Sequence, residues 1–342
     1  MNALFLALLL AAQQPDDVTL RIQQATLLVD SGKVDQAIAA LKTIVAEHPD
    51  NETAKYELGL AYSAKGDAEN CRKIFEPLVD TAKDRVNALG MLGNCLDELG
   101  QRDKAIDAYR RGLKLDPTDS QLTFNLAVTV AHQQKLDEAR ELLKTDTRAN
   151  PWHASGHLLL GKIFEAQDFR VPAVFSYLHF LAIEASPHAA DVAARLQHLL
   201  DLGVEKKSEK EINVNVDPNT RKEEGDYSPM EMSLAIVSGG RFVDEKKSSS
   251  DFDRVREQVA AVVSIFLELP ADSQNYTGAV QRPFFEAMQK EKLVDTFAAI
   301  AITPLKLRGT DAWVKAHVAD VTRYSEWITP QLKRPGVQLP PK

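Results

Sequence analysis

Residues 86–117 read VNALGMLGNCLDELGQRDKAIDAYRRGLKLDP. Leu89, Leu92, Gly93 and Leu96 fall on the three- and four-residue steps that gather side chains on one face of a helix, and Ala105 and Tyr109 do the same further on. Gly100 stands between the two runs as a turn residue, and Pro117 forbids continuation of the second. The stretch therefore predicts two antiparallel helices. Gly93 on one and Ala105 on the other have no bulk, which lets the two backbones approach closely where they cross.

The same register runs outward in both directions. The small residue of the first helix recurs every 34 positions, at Ala25, Gly59, Gly93, Ala127 and Gly161, and that of the second always twelve later, at Ala37, Cys71, Ala105, Ala139 and Ala173. Large residues fill the flanks: Leu28, Tyr62, Leu96, Val130 or Phe164 on the first helix, and Leu41, Phe75, Tyr109, Leu143 or Tyr177 on the second. Gly32, Gly66 and Gly100 mark the turns, with Gln134 and Asp168 in the last two units, and Pro49, Pro117 and Pro151 mark helix ends. In the second unit Lys83 stands where proline would fall, which predicts a longer or frayed helix end. Pro172 lies in the first turn of its helix, where a missing N–H costs nothing. With this period and these positions, residues 18–187 resemble a five-unit tetratricopeptide array. The resemblance implies an all-α solenoid of helix hairpins whose exposed inner face binds another protein. A stack of this kind needs a cap. Residues 186–202 supply one, with Ser186 as N-cap, Pro187 at the first helical position, and Val192, Leu196, Leu199 and Leu200 on one face.

The 342 residues exceed one ordinary core and suggest two domains, and 26% charged with 44% hydrophobic residues is the composition of a globular protein. A net charge of −8 repels a phosphate backbone, so a nucleic-acid partner is disfavoured. Residues 1–12, MNALFLALLLAA, are apolar from Ala3 to Ala12, too short for a helix that spans a bilayer, and read as an export signal cut after Ala12. That reading predicts a periplasmic or extracellular protein without a stable membrane span. Cys71 and Cys95 are the only cysteines. They sit on adjacent helices, which leaves a bridge geometrically open; the commoner state of buried cysteines predicts free thiols acting as small hydrophobes.

Beyond the ladder, residues 203–227 turn charged and read as a linker, in which Ile212, Val214 and Val216 alternate with polar residues as in a short strand with no identifiable partner. Residues 228–330 predict a smaller, non-repeat helical domain, followed by a proline-rich tail at 331–342. Its helices run from Ser228 to a stop at Gly239 and Gly240, from Phe252 to Leu269, from Pro283 to Gln289, from Leu293 to Ile302 and from Asp311 to about Ile328. The segments YLHFLAIEASPHAA (177–190), PFFEAMQKEKLVDTFAAIA (283–301) and DAWVKAHVADVTRYSEW (311–327) are similar to the C-terminal region of uncharacterised secreted bacterial tetratricopeptide proteins, a likeness that brings no activity with it.

The chain carries no GxSxG, GxGxxG or CxxC, and no cofactor is expected. His153 and His157 stand four apart, a spacing that can place two imidazoles on one face for a metal, yet HExxH would need glutamate at Ala154, and surface or packing histidines account for the pair. The expectation is a non-catalytic scaffold. Its groove is formed by first helices and lined by Tyr56, Leu60, Asn94, Asp97, Phe124, Asn125, Val128, Leu158 and Lys162, a mixture of aromatics and amides with few charges. The carboxylate clamp of chaperone-binding relatives is not matched, because Ile22 replaces its first lysine and neither Leu159 nor Ser155 is charged. A partner helix or extended segment held by amides and apolar anchors is what remains. Two alternatives stand beside it: an enzyme or ligand-binding module in the C-terminal domain, using Tyr227, Arg282, His317 or Trp327, and self-association through an uncapped repeat end.

Overall fold

The computed structural model describes residues 17–184, 187–208, 211–214, 222–243, 250–272 and 274–332. The expected export signal, Ser186 and most of the proline-rich tail lie outside them. Among the described residues the chain is all-α apart from one small hairpin, and it forms two compact units divided between Lys135 and Leu136, inside the fourth repeat. The helical ladder itself runs on to residue 202, where the sequence pattern changes.

The first unit holds α1 (Asp17–Asp30), α2 (Val34–Glu47), α3 (Glu52–Ala64), α4 (Ala68–Thr81), α5 (Arg85–Glu98), α6 (Arg102–Leu115) and α7 (Ser120–His132). Each helix packs on the next, and the odd-numbered ones also touch one another, α1 on α3, α3 on α5 and α5 on α7, so first helices form one layer. The tight turns require left-handed backbone: φ is +75° at Gly32 and Gly66, +71° at Gly100, and +61° at Gln134, which takes that conformation without being glycine. Helix starts are fixed by side chains, Asn51, Asp67, Asp84 and Asp119 each accepting a hydrogen bond from the backbone N–H three residues on. Near Lys83 the second repeat ends its helix at Thr81 with no extension, and the Lys83 N–H donates to Glu52 Oε2 at 3.1 Å.

All the small ladder residues are buried, and their size is matched to what faces them. A Cβ on Gly59 would lie 2.4 Å from the Phe75 ring, and one on Gly93 2.3 Å from the Tyr109 ring. Where the opposing residue is leucine, as at Leu41 and Leu143, the small position is alanine, Ala25 and Ala127. Each pair keeps its summed volume roughly constant, as close packing demands. Gly93→Ala is therefore expected to destabilise the first unit by about 1–3 kcal/mol through overpacking, against the ~1 kcal/mol that alanine contributes in a helix. Adding Tyr109→Leu should recover part of the loss in urea unfolding; a Gly93→Ala protein as stable as the parent would break the volume argument.

Cys71 of α4 and Cys95 of α5 are joined in a disulfide with Cα atoms 5.9 Å apart. This corrects the expectation of free thiols. The small slot of one second helix happens to face the following first helix at bridging distance.

The second unit begins with α8 (Leu136–Ala149), α9 (Ala154–Ala166), α10 (Arg170–Ile183) and α11 (Ala189–Asp201). Asp168 takes φ +61° at the turn before α10. Every residue from Val171 to Ala182 is buried, Pro172 in the first turn included, because α10 is covered by α9, α11, a π-helix at Thr277–Gln281 and α15 (Val294–Ile302). The cap α11 starts at Ala189 behind His188, later than expected, and buries Val192, Leu196, Leu199 and Leu200 as expected. What reads as a linker contains an antiparallel hairpin, β1 (Val204–Ser208) with β2 (Glu211–Val214), Val204 opposite Val214. The strand expected around Ile212 finds its partner in residues too charged to suggest one.

Then follow α12 (Ser228–Val243), α13 (Asp251–Glu268), α14 (Arg282–Lys290), α16 (Thr310–Ala316) and α17 (Val318–Leu332). The Gly239–Gly240 pair does not stop α12, which runs on to Val243. A capping box between Ser250 and Asp253 opens α13. The last expected helix is two: α16 closes at His317, whose ring stacks on Trp313 at 4.3 Å and whose Nδ1 lies 2.9 Å from the Trp313 carbonyl oxygen. Central in this set is α15, which buries Phe297, Ala298, Ala299 and Ile302 against α10, α11, α13 and α17.

Candidate functional site

In the first unit the layer of first helices presents the expected groove residues Tyr56 and Leu60 of α3, Asn94 and Asp97 of α5, and Phe124, Asn125 and Val128 of α7, all half-buried. Their polar atoms form a connected set. Tyr109 Oη donates to Asn94 Oδ1 at 2.8 Å, Asn125 Nδ2 donates to the same oxygen at 2.9 Å, and Gln121 Nε2 donates to Asn125 Oδ1 at 2.8 Å. Asn94 thus spends its acceptor inside the protein. Among the described residues its amide group faces only the Met91 sulfur, 3.8 Å away, a weak acceptor that a peptide carbonyl would outcompete. The second-helix tyrosine holds the first-helix amide in place, which the small-residue register alone does not reveal. Burial pushes the Tyr109 hydroxyl far above its ordinary range, so it remains a donor at any working pH.

The same unit holds a cavity of about 280 Å³, walled by Tyr56 and Glu52 of α3, Leu78 and Ala82 at the end of α4, and Asp84 and Asn87 at the start of α5. The Tyr56 ring stands edge-on to Phe75, 5.3 Å between centroids, and burial, then Asp84 and Glu57, raise its hydroxyl pKa. The rim is ordered: Asp84 accepts from the Asn87 N–H at 3.0 Å and from Asn87 Nδ2 at 2.6 Å. Tyr56, Gly90 and Phe124 occupy equivalent positions 34 apart, so the aromatic position alternates with a residue that has no side chain. Asp97 places Oδ1, which accepts no hydrogen bond among the described residues, 3.8 Å from Arg102 Nε, while its Oδ2 is 4.0 Å from His132 Nδ1.

Leu158 and Lys162, the remaining expected groove residues, belong to α9 in the second unit, Leu158 half-buried and Lys162 exposed. The metal-spaced histidines have different partners: His153 Nδ1 lies 2.5 Å from Asp146 Oδ2, while His157 is fully buried with Nε2 2.9 Å from the Pro151 carbonyl oxygen. Among the described residues no three histidine, cysteine or acidic side chains are arranged to hold a metal ion. No helix of the described residues is long and apolar enough to cross a membrane.

Of the C-terminal candidates, Tyr227 and Arg282 meet at a second cavity of about 280 Å³ with Met230, Phe266 and Leu269. Arg282 is already engaged: it donates to the carbonyls of Phe266, Leu267 and Leu269, capping α13, and to Glu286 at 2.8 Å. His317 stacks on Trp313, and Trp327 packs against Phe284 and Tyr324. The four do not converge.

Two family models, each described as tetratricopeptide repeat, match residues 28–95 and 86–119. The chain is similar to the BBSome complex member BBS4 of Bos taurus, 23% identical over 257 residues, covering 73% of this chain and 46% of that protein. It is also similar to lipopolysaccharide assembly protein B of Escherichia coli strain K12, 27% identical over 154 residues, 42% of this chain and 40% of that one. The chain thus spans less than half the length of these relatives. A solved structure of pilF from Pseudomonas aeruginosa superposes with a TM-score of 0.48 at 18% identity, over 53% of this chain and 83% of the other.

Proposed function

We propose that this tetratricopeptide-repeat protein is a non-catalytic scaffold, and that the inner face of its first unit captures an extended or helical segment of a partner protein. The observation that carries this reading is the Asn94 amide, fixed by Tyr109 and Asn125 with its acceptor spent and its donors left to a carbonyl, in the same unit as a cavity sized for one large apolar side chain. Amide donors hold a peptide backbone, and the Tyr56 cavity takes the anchor that sets register. Export is part of the proposal. The apolar leader and a disulfide, which persists in oxidising compartments, both support it; fractionation of cells expressing the chain with and without residues 1–12 would test that half.

The combined variant Tyr56→Ala, Asn94→Ala, Phe124→Ala is expected to weaken partner capture from cell extract at least tenfold, about 1.4 kcal/mol, while its circular dichroism stays helical. Lys73→Ala, on an exposed face of α4, is the control that should leave capture intact. Equal capture by the triple variant would remove the groove assignment and leave the scaffold's contact surface elsewhere.

A further inference from the structure

The second unit hides two imidazoles in its core. His157 of α9 and His179 of α10 are both 0% exposed, with rings stacked 3.9 Å apart and planes 16° from parallel. The other face of His179 is covered by the Phe284 ring of α14, at 4.2 Å and again 16°. His157 Nε2 lies 2.9 Å from the Pro151 carbonyl oxygen, while its Nδ1 and both nitrogens of His179 have no hydrogen-bond partner among the described residues. Packing alone would be served as well by leucine or phenylalanine, without the cost of unpaired buried nitrogens.

The neighbours of the stack offer a proton little stabilisation. Burial opposes a charge on His157 most strongly; the Pro151 carbonyl favours one, His153 at the start of α9 opposes it, and Asp146 of α8 favours it most weakly. From α14 come the rings of Phe284 and Phe285, and beyond Phe284 stand Trp152 and Trp327, 5.7 and 5.9 Å from it. For His179 the titratable neighbour that acts is His157 itself, so a charge on either ring disfavours one on the other.

We propose that the His157–His179 stack is an acid-operated release: neutral, it packs as an aromatic pair, and protonation forces α9, α10 and α14 apart. Burial holds His157 down to about 4 and His179 well below its ordinary value. An opened chain would titrate both near ~6.5. Above that pH both states are neutral and the stack adds no pH dependence. Below it the open state binds more protons, so stability falls as pH drops from ~6.5 towards 4. Each histidine multiplies the open fraction by up to ~10 per pH unit, about a hundredfold from His157 alone at pH ~4.5, and His179 adds to it in the same direction.

All three tryptophans, Trp152, Trp313 and Trp327, lie in the second unit, so tryptophan fluorescence of the full chain reports on it alone. Titration from pH 8 to 4 should give a reversible red shift between about 6 and 4.5, and imidazole NMR of the unaltered protein should show two rings that stay neutral until that step and titrate with it. His157→Phe with His179→Phe should move the midpoint down by about one pH unit or more. Fluorescence flat to pH 4, two imidazoles titrating independently near 6.5, or an unmoved midpoint in the folded variant would each overturn the proposal. The NMR arm decides even if the variant does not fold.

Discussion

The Glu224→Gln variant is expected to lose about 3–5 kcal/mol of stability in the second unit. Glu224 is 3% exposed at its side chain, and two cations one turn apart on α8 converge on it: Arg140 Nε at 2.8 Å from Oε1 and Lys144 Nζ at 2.9 Å from Oε2. Those cations are themselves only 9% and 11% exposed. Without the carboxylate they keep Asp137 and Glu141, at 79% and 59% exposure too wet to compensate a buried charge. Denaturant unfolding followed by tryptophan fluorescence measures the loss. Replacing all three charged residues by methionine is expected to cost less than the single change, because the penalty lies in the unpaired cations rather than in the absence of the pair. A Glu224→Gln protein within 1 kcal/mol of the parent would mean that water reaches the cluster.

What reading of the chain missed here has a physical cause. The ladder is legible because one step, 34 residues, is imposed on every hairpin by the same close approach, and Gly93 against Tyr109 can be recognised from register alone. The match of glycine to an aromatic ring and of alanine to leucine is also written in the sequence. Glu224, by contrast, stands in a run of charged residues, KEEGD, where no period separates the one carboxylate that is buried from those that are not. β1 pairs through its backbone, which places no demand on side-chain pattern, so EKKS gives no warning of a strand. Gly239 and Gly240 have the residue types of a helix stop, yet α12 runs past them to Val243. At the groove, the residues lining it follow from the register, but the tie from Tyr109 to Asn94 crosses between two helices and depends on a ring position that reads only as core.

Removing the Cys71–Cys95 bridge, as Cys71→Ala with Cys95→Ala or by reduction, is expected to cost the first unit about 3 kcal/mol, the loop-closure entropy for a link across 24 residues. For a unit of this size that is roughly 10–20 °C in melting temperature. A functional loss should accompany it. The bridge fastens α4 to α5, and the Tyr56 cavity is built from α3, the end of α4 and the start of α5, so the bridge ties together the two helices that supply two of its three walls. A pocket whose walls are held before the ligand arrives binds without meeting that ordering cost in the complex. The double variant, assayed where it is still fully folded, should therefore capture partner more weakly than the parent, with the deficit in dissociation rather than association. Reducing agent should bring the parent down to the level of the variant and leave the variant unchanged. Equal melting temperatures with and without reductant would show that the second and third repeats hold each other through packing alone, and unchanged dissociation would detach the cavity from the bridge.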